Sequence, residues 1–403
     1  MPEGICSGVR VVEYCRMAAG PYCAKLLADL GAEVIKVEPP EGDPARRYGP
    51  FAADEPGIER SGLFLYCNTN KLGVTLNLRL PTGRRLFHEL LKQADVLIED
   101  TPPQAEKPLG LGYSTLSGIN SGLVVTSITP FGKAGPHAAW KAYPLNVYQA
   151  GGEGYLCPGD PAHQMFPDRE PLKAGGFMVA FDAGLYAAIA TAGALYERTA
   201  SGQGQHIDIS EQEAQLQINR ATIVRWTAEQ NLQSRASRGY EFGGVFRAKD
   251  GYVLVRPNED RHYQALAEVI GDPALDDERF KTRPGRLKYG AELNRIMAPW
   301  IADHTQKEIY HALGSRGCPT AYFARAEDIV KSPQPAHRGF LVQIAHPESG
   351  RFAYPSVPYK MSETPARYER PAPLLGQHNA AILCGRLGIS NQALVQLRQA
   401  GVV

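Results

Sequence analysis

Short apolar runs alternating with helix-like stretches constrain this chain more than any other feature. Residues 9–14 read as a buried strand, and Pro21 can open a helix that carries Leu26, Leu27 and Leu30 on one face. Gly31 is placed to stop that helix before a second strand at 33–38. The pattern then repeats. Residues 73–78 alternate as a strand, Thr82 can cap a helix over 83–94 with Leu86, Leu90 and Leu91 inward, and strands follow at 96–99 and 123–129. Helix-separated apolar strands imply a parallel sheet with helices on both faces.

The expected architecture is therefore α/β, with an open, Rossmann-like large domain over 1–230. In such sheets ligands bind beyond the carboxyl ends of the strands, which gathers 15–21, 39–43, 100–103 and 130–135 around one crevice. A polar linker over 231–244 leads to a hairpin at 245–255, signalled by Asp250-Gly251, and helices are expected at 262–270, 290–302 and 305–314. These make a small α+β domain over 231–330. The remainder, 331–403, is rich in Pro between Pro333 and Pro373 and reads as an extended strap with a C-terminal helix, returning to the large domain.

Composition narrows the function. Lys plus Arg number 43 against 42 Asp plus Glu, a net charge of +1, so no overall field favours nucleic acid or an anionic membrane. The seven Cys are scattered, without zinc-site spacing, and read as reduced thiols; metal sites are not expected. Met-Pro-Glu-Gly-Ile-Cys-Ser-Gly has no basic segment followed by an apolar one, no apolar run approaches the ~18 residues of a membrane span, and the expectation is a cytoplasmic protein. No G-x-G-x-x-G follows the first strand and no G-x-x-x-x-G-K-[ST] occurs, so dinucleotide and nucleotide-hydrolysing roles have little support.

The stretch 173–213 stands apart. It reads as a helix of small residues (Ala183, Ala187, Ala188, Ala190, Ala192, Ala194), then a Gly-rich turn, Ser201-Gly-Gln-Gly-Gln205, then a short strand, His206-Ile-Asp-Ile-Ser210, and a further helix over 211–230. Small side chains on all sides let other backbones approach, which suits a plain core helix or one beside a site or subunit contact. Together with Ala19-Gly-Pro21, residues 26–38 and Pro371-Ala-Pro-Leu-Leu-Gly-Gln-His378, this stretch resembles the class III coenzyme A transferases, the formyl-CoA transferase and carnitine CoA-transferase family, across essentially the whole chain.

The resemblance implies two chains interlocked like links, with the strap needing a partner surface. It also implies an Asp nucleophile in the form D-x-x-(A/S/T)-G, which attacks a CoA thioester and passes through anhydride and enzyme-thioester intermediates. No permanently bound cofactor is expected; the CoA thioester is substrate. The matching Gly is Gly184, and the position four before it is Ala180, which cannot do this chemistry. Asp182 is the nearest replacement, although two residues along a helix turn a side chain by roughly 200°, and Asp182 can instead cap the helix that follows. Asp168 is a more distant candidate.

For CoA, the resemblance points to Ala18 and Ala19, with Lys71, Arg79 and Lys107 as phosphate contacts. Pro39 stands where the family often has a cation, Asp100 adds an acid, and Pro108 falls where an Arg is expected. Trp140, Tyr143, Tyr148, Tyr186 and Tyr240 could line an aromatic pocket or be ordinary core and surface. Three readings follow. The first is the non-catalytic subunit of a heteromeric CoA-transferase, such as a succinyl-CoA:benzylsuccinate enzyme of aromatic degradation, paired with a related chain carrying the Asp. The second is an active homodimeric transferase or CoA-ester isomerase with a relocated carboxylate, and the third a non-enzymatic CoA-binding or scaffold protein.

Overall fold

The computed structural model describes residues 4–160, 162–237 and 239–403, and these divide into two compact units. The first holds Met1–Glu153, Lys173–Arg220 and His337–Val403; the second holds Gly154–Leu172 and Ala221–Ala336. Residues 154–172, expected within a continuous 1–230 domain, fall in the second unit.

The first unit is built on six parallel strands: β1 (Arg10–Tyr14), β2 (Glu33–Glu38), β3 (Leu72–Thr75), β4 (Val96–Glu99), β5 (Val124–Thr129) and β6 (His206–Ser210). Their spatial order, β3-β2-β1-β4-β5-β6, reverses direction between β1 and β4. Such a switch point leaves a crevice at the carboxyl ends. Alternate residues feed two cores. Val11, Val34, Ile98 and Ile128 pack under the helices Ala19–Asp29 and Met178–Ser201, while Val12, Val37, Leu97 and Val125 pack under Pro81–Leu91. In that last helix Pro81 occupies the first turn and Leu80 is the N-cap, so Thr82 lies inside the helix rather than capping it.

The central helix, Met178–Ser201, is 24 residues long. At Gly184 it meets the first helix closely: a Cβ there would lie 2.5 Å from the Ala19 carbonyl oxygen. Its buried Ala180, Ala183, Ala187 and Ala188 share a core with that helix, which explains why small side chains are required there, while Val179 packs on Val147 and Tyr148 instead. By length and composition this is also the one helix among the described residues that could cross a membrane, contrary to the expectation of no such run, and less than half of it is buried. After β6 the helical stretch expected over 211–230 breaks at Asn219 into Glu211–Ile218 and Arg220–Glu229.

The chain end closes the first unit. Beyond the hairpin of β10 (Leu341–His346) and β11 (Gly350–Pro355), the strap runs to the edge strand β3. The Thr75 N–H donates to Asn379 Oδ1 (2.8 Å), the Gly73 N–H to His378 Nδ1 (3.0 Å) and the Asn77 N–H to the Val402 carbonyl (2.8 Å). The second unit has its own core beneath a three-stranded antiparallel sheet of β7 (Gly244–Ala248), β8 (Gly251–Val255) and β9 (Thr320–Tyr322), with Leu266, Leu293, Met297 and Ile309 inaccessible.

Candidate functional site

A cavity of about 800 Å³ opens beyond the carboxyl ends of β1 to β4. Each strand contributes its end or the residues that follow it: Tyr14 at the end of β1 with Cys15 and Arg16 after it, Pro39, Glu41 and Arg47 after β2, Asn77 and Arg79 after β3, and Asp100, Thr101 and Pro108 after β4. Three arginines therefore reach the crevice from three different strands, and only Arg79 was anticipated. The signal for Arg16 was its position just beyond the end of β1; Arg47, nine residues past β2, had none in the local sequence.

The acid at Asp100 is not left alone against them. Its Oδ2 accepts the Arg16 backbone N–H at 2.9 Å, and Arg16 Nε lies 3.7 Å from Oδ1. Arg47 is held by the Glu41 carbonyl at 2.8 Å, while the Arg79 side chain is exposed. The crevice thus presents guanidinium donors that suit phosphate or carboxylate oxygens, with one of them already shared with a carboxylate.

Beneath the floor lies a buried ionic network. Glu13, in β1, is inaccessible and accepts from Lys36 Nζ at 2.8 Å and Lys71 Nζ at 2.6 Å. Lys36 also pairs with Asp43 at 3.0 Å, and the Lys71 ammonium completes its hydrogen bonds on the Pro21 carbonyl and Asn68 Oδ1, both at 2.8 Å. Burial would raise the Glu13 carboxyl, but the two lysines outweigh it and hold it below its ordinary value. Alongside, Arg46 forks onto Glu38 at 2.7 and 2.8 Å, reaches Glu59 at 2.6 Å and lies 3.7 Å over the Phe64 ring. The network locks the loops after β1 and β2 to the start of β3 and, through the Pro373 carbonyl at 3.1 Å, to the strap.

Lys71 accordingly has no donor left for a phosphate, which corrects its expected role as a CoA contact. Ala18 and Ala19 are buried, 1% and 7% exposed, at the start of the first helix and outside the crevice lining. Lys107 is exposed on the short helix whose Gln104 and Pro108 do face the crevice. The loop 130–135, expected on the same rim, stays out of the lining; Lys133 instead ties it to Glu99 at 2.8 Å and Glu106 at 2.7 Å.

Ala180 is the third residue of the central helix and 7% exposed, packed in the core shared with the first helix. Asp182 does not cap this helix, because it begins four residues earlier at Met178 with Phe177 as N-cap. Its half-buried carboxyl is raised above the ordinary range by burial. Asp168 is exposed in the second unit. The expected aromatic set does not share one environment: Trp140 and Tyr143 are 60% and 74% exposed, Tyr148 is buried, Tyr186 packs at the edge of the first-helix core, and Tyr240, in the second unit, lies under Arg256.

One carboxylate escaped the sequence reading. Glu211 opens the helix after β6; burial, with Asp100 adding its charge, pushes its carboxyl up to about 7, and burial pushes Asp100 up to about 6 despite Arg16. A carboxyl raised in the folded state binds its proton more tightly there than in the unfolded chain. Stability from these two groups is present at low pH and falls as pH rises from the ordinary carboxylate range near 4 through about 6 and about 7. Asp100→Asn combined with Glu211→Gln should therefore raise the melting temperature by a few degrees or more at pH 8 and much less at pH 4.5. Equal shifts at both pH values would show that the two carboxyls are not strained by ionisation.

Among the described residues no group of three or more His, Cys, Asp and Glu could hold a metal ion, and all seven Cys are free thiols. A family model described as CoA-transferase family III matches residues 6–379. The succinate–glutarate CoA-transferase of Agrobacterium fabrum is 32% identical over 389 residues, covering 94% of each chain. The succinyl-CoA:(R)-benzylsuccinate CoA-transferase subunit BbsE of Thauera aromatica is 32% identical over 384 residues, covering 91% of each. A crystal structure of a CAIB/BAIF family protein from Brucella suis superposes with a TM-score of 0.84 at 30% identity, covering 95% of this chain and 99% of that one.

Proposed function

The chain belongs to CoA-transferase family III, and from that premise we propose that it is the subunit without the nucleophilic carboxylate in a heteromeric transferase. The enzyme would move CoA from an acyl-CoA such as succinyl-CoA to a free carboxylic acid, with a related chain supplying the Asp. The carrying observation is Ala180, a methyl group buried in the first turn of the central helix where the family resemblance places that Asp. A methyl group cannot attack a thioester, and Asp182 stands roughly 200° around the helix from it.

The rest of the chain is suited to the same role. The ionic network and the strap keep the crevice loops fixed, and Arg16, Arg47 and Arg79 offer charged donors to the phosphates of a CoA ester. The relative named as a benzylsuccinate subunit makes an aromatic succinate the acceptor to try first, and the setting is cytoplasmic. The likeness to a named succinate–glutarate enzyme keeps dicarboxylic acids in general within the panel.

The test is CoA transfer from succinyl-CoA to a panel of free acids, aromatic succinates included. The expected result is exchange only after co-expression with a related chain, at least 10³-fold above this chain alone, unchanged by Asp182→Ala and abolished when the partner loses its Asp. Exchange by this chain alone that disappears with Asp182→Ala would overturn the subunit reading in favour of a relocated nucleophile.

A further inference from the structure

The crevice is furnished for an anion, yet a carboxylate stands inside it. Asp100 lines the same cavity as Arg16, Arg47 and Arg79, with its side chain 22% exposed. The cation on that carboxylate is Arg16, whose backbone N–H donates to Oδ2 at 2.9 Å and whose Nε lies 3.7 Å from Oδ1. Any oxyanion that reaches the Arg16 guanidinium therefore arrives beside Asp100, and the two compete for one positive charge.

The next charged neighbours of Asp100 make the competition worse, because they are acids. Glu99 precedes it at the end of β4 and is tied to Lys133 at 2.8 Å; Asp43, after β2, is tied to Lys36 at 3.0 Å. Glu211, opening the helix after β6, adds a third carboxyl. Tyr14 and Cys15, at the end of β1, bring no charge, since burial and the Asp100 carboxylate push the phenol and the thiol up. A phosphate and an ionised Asp100 would thus face each other in a part-buried site among further acids. A proton on Asp100 ends that conflict, because it cancels the charge and supplies an O–H donor.

We propose that Asp100 takes up a proton when a phosphate binds in the crevice, and that the neutral acid then donates a hydrogen bond to that phosphate beside the Arg16 guanidinium. This rests on the reading that the crevice holds the phosphates of a CoA ester. The proton comes from solvent, and the O–H bond on Asp100 is the one covalent bond formed. The carboxyl is poised for the change: burial already pushes it up to about 6 with Arg16 in place, and drawing Arg16 towards a phosphate raises it further. The sign of the linkage follows. Affinity is highest where the free protein already holds the proton, below about 6, and Asp100 weakens binding by up to about tenfold per pH unit above that. A free carboxylate offers similar oxygens, but guanidinium donors from three strands around about 800 Å³ suit the larger, multiply charged ligand.

The test is titration calorimetry of the intact protein with coenzyme A, and separately with succinate, in two buffers of different ionisation enthalpy near pH 7.5. The buffer dependence of the heat counts protons without any variant. About 0.5 proton or more should be taken up per coenzyme A beyond the uptake of Asp100→Asn, and the difference between the two proteins cancels the ligand's own phosphate ionisation near pH 6. Asp100→Asn, whose amide donates at every pH, should bind about as well as the parent at pH 5.5 and at least about tenfold tighter at pH 8. Glu211→Gln should keep most of the uptake. Coenzyme A bound without proton uptake would overturn the proposal and leave the crevice as its site. Uptake that survives Asp100→Asn and vanishes in Glu211→Gln would overturn the assignment to Asp100, and uptake with succinate but not coenzyme A would overturn phosphate as the ligand. Failure of coenzyme A to bind at any pH would overturn the CoA reading of the crevice and this proposal together.

Discussion

Glu13→Gln is expected to destabilise the protein by about 3–5 kcal/mol, measured as urea unfolding of the intact chain. Glu13 is inaccessible and is the acceptor common to two equally buried ammonium groups, Lys36 and Lys71. An amide offers one neutral oxygen and turns a donor towards the other lysine, so one buried cation loses its partner. Removing one member of a buried pair leaves an uncompensated charge, which costs far more than the pair itself contributes. Against a typical total of 5–15 kcal/mol, soluble yield should fall as well. A second substitution, Lys71→Met, should recover part of the loss because it removes the orphaned charge along with its partner. A cost below about 1 kcal/mol for Glu13→Gln would mean that Asp43 alone satisfies Lys36 and that Lys71 is held by its neutral acceptors.

On the proposed reading of Ala180 as the nucleophile's position, Ala180→Asp is expected to let the chain form a covalent thioester with CoA on exposure to succinyl-CoA. The new carboxylate would sit in the first turn of a 24-residue helix whose N-cap, Phe177, provides no side-chain acceptor. Free N–H groups and the positive end of the helix favour a negative charge there. Its low exposure would keep water from an acyl intermediate. In the step read out, the carboxylate and succinyl-CoA yield succinate and an enzyme-bound CoA thioester, seen as a mass increase removed by hydroxylamine. The wild-type chain should show none, and Asp182→Ala should change neither result. A folded Ala180→Asp protein that stays unlabelled would count against residue 180 as the nucleophile's position.

The strands and their helices were legible because each carries its own period: β1 and β2 are apolar runs with one charge in their interior, Glu13 and Lys36, and β4 is apolar up to Glu99. That single charge was the clue not taken. Glu13 in β1 and Lys36 in β2 lie in strands covered on both faces, and ionised groups in such positions must find each other. Lys71, at the foot of β3, then had a reason to be internal, whereas matching it to a basic position of the family suggested a phosphate contact. Arg16 and Arg47 were hidden for a different reason: loop side chains have no periodicity, and only the strand order brings the loops after β1 and β2 together. Asp182 read as a cap because Gly184 suggested a helix start, yet Gly184 is there for close approach to Ala19. Pro102 and Pro103 marked a loop after β4 correctly placed at the crevice, but nothing local showed that Asp100 would be met by Arg16 from 84 residues away.

The return of the chain end to β3 has a consequence for synthesis. His378 and Asn379 bond to partners 305 and 304 residues earlier. At 5–20 residues per second, roughly 15–60 s pass between the emergence of that edge strand and the arrival of the segment that covers it. During this interval the ribosome-bound chain displays an open row of backbone donors and acceptors, the template on which nascent chains aggregate. A premature stop codon ahead of His378 should therefore give insoluble product although the whole sheet has been made.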